Sequence, residues 1–169
     1  MAEGGKNAGA RFVLRSAQRA DLDPLFALDR VCFRQGIAYS RSELLFFLTH
    51  AQSFSFVAEH EDGRIAGFAI VKRGLRAGRS TGHIITIDVD PAFRRQGVGR
   101  LLMAAMEEKL REAGAESIQL EVAVDNASAE QFYLGHGYTH AGRIRGFYMG
   151  TLDALVMRKS IEPEQVSAE

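Results

Sequence analysis

Cysteine is nearly missing from this chain: Cys32 stands alone, which excludes an internal disulfide and fits a reducing compartment. Charge of one sign is missing too. The 21 Lys and Arg are matched by 21 Asp and Glu, so nothing global advertises nucleic acid or an anionic membrane as a partner. Apolar runs such as Leu44–Leu48 are far too short to span a bilayer. Residues 1–10 are glycine-rich and carry no apolar core, so they read as a flexible tail and not as a signal peptide. There is no internal repeat. A metal site is not expected, because His136 and His140 have helical spacing but enclose Gly137 and Tyr138 where a helix should stop. Cys32, between Val31 and Phe33, reads as a small buried residue at a helix end and not as a nucleophile. These absences describe a soluble, cytoplasmic protein. With 169 residues, 46% of them hydrophobic, one domain over 11–160 can bury its own core, followed by an acidic tail over 161–169.

What is present is concentrated in Phe93–Arg100, the run F-R-R-Q-G-V-G-R. It follows an apolar strand-like run, His83–Val89, and opens a long amphipathic segment, Val98–Ala113. Two glycines let backbone N–H groups approach an anion, and a helix start adds unpaired donors and the positive end of its dipole. Arg94, Arg95 and Arg100 supply mobile positive charge. Neither familiar nucleotide loop fits. The dinucleotide fingerprint needs a third glycine where this chain has Leu102, and the mononucleotide loop needs Lys-Ser/Thr where it has Arg100-Leu101. Two readings stay open on these residues alone: a phosphate-holding loop, or a glycine turn carrying three solvated arginines.

Hydrophobic period and turn chemistry give the rest. Phe12–Leu14 reads as a strand, and Asp21–Val31 as a helix with Asp21 as N-cap and Pro24 in the first turn. Ser40, with Glu43 in capping-box position, starts a second helix through His50. Ser53–Glu59 and Ile65–Val71 form an antiparallel pair about the Asp62-Gly63 turn. Gly74–Gly82 reads as a flexible connection. After the strand His83–Val89 and the helix Val98–Ala113 comes the strand Ser117–Val124, with Gln119, Glu121 and Ala123 sharing a face. A helical crossover makes this last strand parallel to the one before it. A short helix, Ser128–Leu134, and two strands within Tyr138–Phe147 and Ala154–Arg158 complete an α/β chain, a mixed sheet with helices on both faces.

Arg-x-x-Gly-x-Gly after a strand resembles the coenzyme A pyrophosphate loop of the GNAT acetyltransferase superfamily. His83–Arg100, Leu120-Glu121-Val122, Asn126, Tyr133 and Tyr148–Met157 are similar to the protein N-terminal acetyltransferases of the bacterial ribosomal-protein-alanine type and their archaeal and eukaryotic relatives. The resemblance covers about Phe12–Ser160. It implies the GNAT fold, a mostly antiparallel mixed sheet of about seven strands splayed at the cofactor site. It also implies acetyl-CoA as cofactor and a protein or peptide N-terminus as partner, possibly that of a ribosomal protein. The family would place backbone groups of Ile87, Asp88 and Val89 along the pantetheine and Arg94, Arg95, Gln96, Gly97, Val98, Gly99 and Arg100 around the pyrophosphate. Asn126 and Tyr133 would line the far side of the cofactor.

In the relatives, Glu121 occupies the position of the base, His83 that of a second polar residue and Tyr133 that of the acid that protonates the departing thiolate. Phe33, Tyr39 and Tyr148 are candidates for gripping the peptide. Two stretches depart from the family pattern where the peptide slot is framed. Ala38-Tyr39-Ser40 stands where a proline usually precedes the aromatic residue, and Thr151-Leu152-Asp153 replaces an acidic Gly-Glu-Asp turn. A small amine or a lysine side chain as acceptor, and a non-catalytic acyl-CoA sensor, are the competing readings.

Overall fold

The structure is a computed structural model and describes residues 11–163. The expected N-terminal tail and all but the first three residues of the expected acidic tail lie outside them. Of those three, Ile161 is buried, and its N–H donates to Glu116. The strands are β1 Phe12–Ser16, β2 Ser53–His60, β3 Ile65–Arg76, β4 Arg79–Val89, β5 Ser117–Ala123, β6 Thr139–Tyr148 and β7 Leu152–Ser160, and the helices α1 Leu22–Cys32, α2 Arg41–Thr49, α3 Val98–Glu112 and α4 Ala127–Gly135. They build one seven-stranded sheet of order β1-β2-β3-β4-β5-β7-β6, antiparallel except between β4 and β5. Leu22, Leu25, Leu28 and Leu44 of α1 and α2 pack on Val57, Phe68 and Ile70 on one face. Val98, Leu102, Met103, Met106 and Leu110 of α3 pack on the other. Alternation along β2 and β3 feeds both layers.

Most elements fall where period and caps place them. Ser40 accepts from the Glu43 N–H at 3.2 Å while the Glu43 carboxylate accepts from the Ser40 N–H at 2.7 Å, the reciprocal capping box. Two expectations need correction. Gly74–Gly82 is not a flexible connection: β3 and β4 run through it and meet at a two-residue turn, Ala77-Gly78, both left-handed with φ of 51° and 76°. That is the turn whose twist suits a hairpin. Its tip, residues 73–79, is exposed on both faces and shows no alternation to read, while Gly82 at its base is buried against Leu110. Asp21 does not cap α1 with its side chain. Its carboxylate accepts two guanidinium bonds from Arg15, at 2.8 and 2.9 Å, and one from the Gln18 N–H at 2.7 Å.

Beneath β4 lies a pair of buried carboxyls, Asp29 at 0% and Asp88 at 1% exposure. Asp29 Oδ2 accepts from the Tyr39 N–H at 2.6 Å, and Thr86 Oγ donates to Asp88. Asp29 Oδ1 and Asp88 Oδ2 have no hydrogen-bond partner among the described residues. Burial first, and then its neighbour's charge, pushes Asp88 well above the usual carboxylate range, and burial pushes Asp29 up as well. Both carboxyls therefore hold a proton to higher pH than they would in the unfolded chain. A raised folded-state pKa gives stability that is complete below the unfolded value and lost as pH rises through the folded one. Asp88→Asn keeps the shape of the side chain without a proton to lose. Its melting temperature, followed from acid to alkaline pH, should stay flat where the wild type falls by roughly a few degrees. Parallel curves for the two proteins would place the pair's titration elsewhere.

Candidate active site

β4 and β5 pair only over Thr81–His83 with Ser117–Gln119. Beyond His83 and Gln119 the strands part. The register of β4 against β3 skips Ile85, a bulge at the point of separation. The Tyr39 hydroxyl donates to the Ile85 carbonyl there, at 3.1 Å. A bulge and a tyrosine wedge thus hold open what would otherwise be a continuous parallel ladder.

The opening is a cleft of about 1160 Å³ between β4, β5, the α3 start, α4 and the segment after α1. Val89 O on its β4 wall accepts from Cys32 Sγ at 3.4 Å and from Arg94 Nε at 3.3 Å. Strand alternation turns the N–H and C=O of Ile87 to the same open edge. That edge suits a ligand with amides of its own. By the same alternation the N–H and C=O of Asp88 turn to β3 and its side chain into the carboxyl pair, so Asp88 does not line the cleft. The Cys32 thiol is half-buried, and burial, with the Asp88 charge behind it, pushes its pKa up to about 12. It is a weak nucleophile, as expected.

At the floor of the loop, Arg95 and Gly97 are left-handed, with φ of 61° and 86°. Gly97 is the N-cap of α3. This alternation turns successive N–H groups toward one side, an anion-holding concavity at a helix N-terminus. Among the described residues, the side chains of Arg95 and Arg100 have no hydrogen bond or ion pair. Gly99 plays a different part from Gly97. A Cβ there would meet the Phe132 ring at 3.0 Å, so Gly99 lets α3 and α4 approach. Asn126 lines the cleft but also caps α4, accepting from the Ala129 N–H at 3.2 Å.

Glu121 sits where β5 leaves β4, with a side chain 12% exposed. Its Oε2 lies 2.5 Å from His83 Nε2, and its Oε1 accepts from Gln119 Nε2 at 3.3 Å. Burial pushes this carboxyl up, but the His83 hydrogen bond and charge and the Gln119 amide outweigh it, leaving the pKa below the ordinary value. Glu121 is therefore an anion at neutral pH. An ionised carboxylate only accepts, so the proton of this bond belongs to His83 Nε2. Tyr133 is buried on α4 and lines the same cleft, with no hydrogen-bond partner for its hydroxyl among the described residues. Burial holds its pKa well above the usual phenol value, with the charges of Asp88 and Tyr148 adding. It stays a proton donor at any working pH. Burial, and the Glu121 charge after it, pushes Tyr148 up to about 12.

Phe33, Tyr39 and Tyr148 line the cleft, so the structure brings the candidate peptide residues to the same opening as Glu121 and Tyr133. His83 reaches it through Glu121. Sequence reasoning missed the Arg34–Asp125 ion pair, 2.9 Å long, which ties the segment after α1 to the loop after β5. The two residues are 91 positions apart, and no local pattern links them. Two more polar residues behind Glu121, Gln119 and Arg158, were also passed over.

The splayed strands, the loop and the fold define a class, and comparison places the chain in it. The model of the Acetyltransferase (GNAT) family matches residues 22–138. The chain belongs to that family, and it is an acyl-CoA-dependent N-acetyltransferase. It is 27% identical to an N-alpha-acetyltransferase of Sulfurisphaera tokodaii, over 88% of this chain and 93% of the relative. It is 32% identical to a ribosomal protein bS18-alanine N-acetyltransferase of Salmonella typhimurium, over 71% of this chain and 80% of the relative. It is 40% identical to a streptothricin acetyltransferase of Streptomyces lavendulae, over 60% of this chain and 52% of the relative. Among solved structures, the Escherichia coli ribosomal-protein-S18-alanine N-acetyltransferase superposes with a TM-score of 0.78 at 24% identity, over 94% of this chain and 99% of the other. No helix of the described residues is long and apolar enough to cross a membrane.

Proposed function

We propose that this protein transfers acetyl from acetyl-CoA to the N-terminal α-amine of a protein or peptide, by direct attack on the thioester in a ternary complex. The observation that carries this reading is the Glu121–His83 pair at the apex of the splayed strands, an anion with its proton-bearing partner in the cleft that holds Tyr133. The names of the archaeal and ribosomal-protein relatives support it.

Acetyl-CoA supplies the activated acyl group, and the chain's own residues do the rest. The open β4 edge at Ile87 receives the amides of the pantetheine arm, and the nest at Arg95–Gly99 with Arg94, Arg95 and Arg100 receives its phosphates. Phe33, Tyr39 and Tyr148 hold the first residues of the peptide against Glu121. A carboxyl held below its ordinary pKa is too weak a base to strip a resting ammonium. Its proper moment is later, as the nitrogen bonds to carbon and its two protons become strongly acidic, one of them to be lost and one to stay on the amide. Glu121 then accepts that proton, directly or through one water, with His83 Nε2–H holding the carboxylate in place. Tyr133, kept protonated by burial, donates to the sulfur as the thiolate leaves.

An α-amine suits so modest a base. At pH 7 its deprotonation costs about 1–1.4 kcal/mol, against about 4.6 for lysine. A peptide with a free N-terminus should therefore be acetylated, and the same peptide with a blocked N-terminus and an internal lysine should react roughly a hundredfold more slowly. Mass spectrometry of the two products checks this. The streptothricin relative favours a second reading, a small-molecule amine as acceptor. Faster transfer to small amines than to any peptide in a panel varied at its first two residues would select it.

A further inference from the structure

Gln119 and Arg158 take no part in the mechanism above, yet they stand in one row with its proton-handling pair. Cross-strand partners run Lys72, His83, Gln119, Arg158 across β3, β4, β5 and β7. Glu121 follows two residues after Gln119, on the same face of β5. His83 opposite Gln119 is the last rung before β4 and β5 separate. Along this row Arg158 Nε donates to Gln119 Oε1 at 2.8 Å, and Gln119 Nε2 donates to Glu121 Oε1 at 3.3 Å. The other oxygen of Glu121 lies 2.5 Å from His83 Nε2.

Chemistry fixes the direction of this chain. A guanidinium can only donate, so the oxygen end of the Gln119 amide must face Arg158. Its N–H end is then left to face a carboxylate, which can only accept. Both oxygens of Glu121 are thereby assigned, one to the amide and one to the imidazole. Without Arg158, either end of the amide could face the carboxylate, and half of those orientations would set oxygen against oxygen.

We propose that Gln119 and Arg158 are positioning residues for proton transfer: Arg158 locks the Gln119 amide, and the amide holds Glu121 with Oε2 on His83. The inference rests on the role proposed for Glu121. The groups facing that carboxylate are His83 from β4, Gln119 on its own strand, Tyr148 from β6 and Tyr39 from the segment before α2. Of their side chains, Gln119 and His83 donate to it. The two tyrosines feel its charge, which opposes their ionisation.

Gln119→Met removes the amide donor at nearly constant length. The test follows the Glu121 carboxyl by carbon NMR in the protein without acyl-CoA, its signal assigned with Glu121→Gln. It also measures kcat on a free-N-terminal peptide and KM for acetyl-CoA. Loss of a donor to the anion should raise the Glu121 titration midpoint and lower kcat about tenfold, with KM for acetyl-CoA unchanged. Arg158→Met should act in the same direction but less, and Arg158→Lys, which keeps a donor, should recover most of the loss. The double variant with Met at both positions should be no worse than Gln119→Met, because the two residues act in series. Melting curves confirm that each variant is folded. Should Gln119→Met fail to fold, the Arg158 pair of variants decides by the same readouts.

An unmoved midpoint in Gln119→Met, or additive losses in the double variant, overturns the positioning chain. A shifted midpoint in a protein that acetylates none of the peptides upholds the chain and overturns the α-amine reading instead.

Discussion

Glu121→Gln is expected to lower kcat by roughly 10²–10⁴-fold, the usual contribution of a general base, while leaving acetyl-CoA affinity close to the wild-type value. Glutamine matches the shape of glutamate, and its single amide oxygen can still accept from either His83 or Gln119, so the cleft keeps its shape. What it lacks is the negative charge that receives the proton. The deficit should shrink as pH rises, because more of the amine is neutral before it attacks and less is asked of the base. Tyr133→Phe should behave differently. It removes the donor at the sulfur, and raising pH cannot replace a proton given to a leaving thiolate. Steady-state kinetics between about pH 6 and 9 separate the two. A Glu121→Gln variant with wild-type kcat over that range would make Glu121 a structural residue of β5.

Gly97→Val should weaken acetyl-CoA binding by about ten- to a hundredfold with the fold largely intact. Gly97 has a φ of 86° at the N-cap of α3, a conformation that costs a β-branched residue on the order of 1–3 kcal/mol. Relaxing that strain would turn the N–H groups of the loop out of the nest, and the phosphates proposed to bind there would lose their donors. The contrast with Gly99→Val makes the test specific. There the added atoms press on the Phe132 ring, so separation of α3 from α4, seen as a lower melting temperature, should precede any loss of affinity. Calorimetric titration and thermal melting of both variants read the two effects. Unchanged affinity in Gly97→Val would remove the loop from the phosphate site.

The sequence by itself determined the elements whose cause is local. The capping box at Ser40 and Glu43, the amphipathic stripe of α3, the Asp62-Gly63 turn and the alternation of β5 each depend on residues within a few positions of one another, and each is present as read. It also carried the family resemblance, in the glycine loop, Leu120-Glu121-Val122 and Tyr133. Several site features were out of its reach because they are made by contacts between distant segments. The tip of the β3–β4 arm, residues 73–79, lacks a buried face, so no alternation marks it. The opening between β4 and β5 depends on a bulge at Ile85 held by Tyr39, 46 positions away. The part played by Gly99 is set by Phe132 on another helix. Glu121 could be picked out from its neighbours in sequence, but its state could not. Burial favours a neutral carboxyl, and only a sheet that brings His83 and Gln119 up to it holds its pKa below the ordinary value.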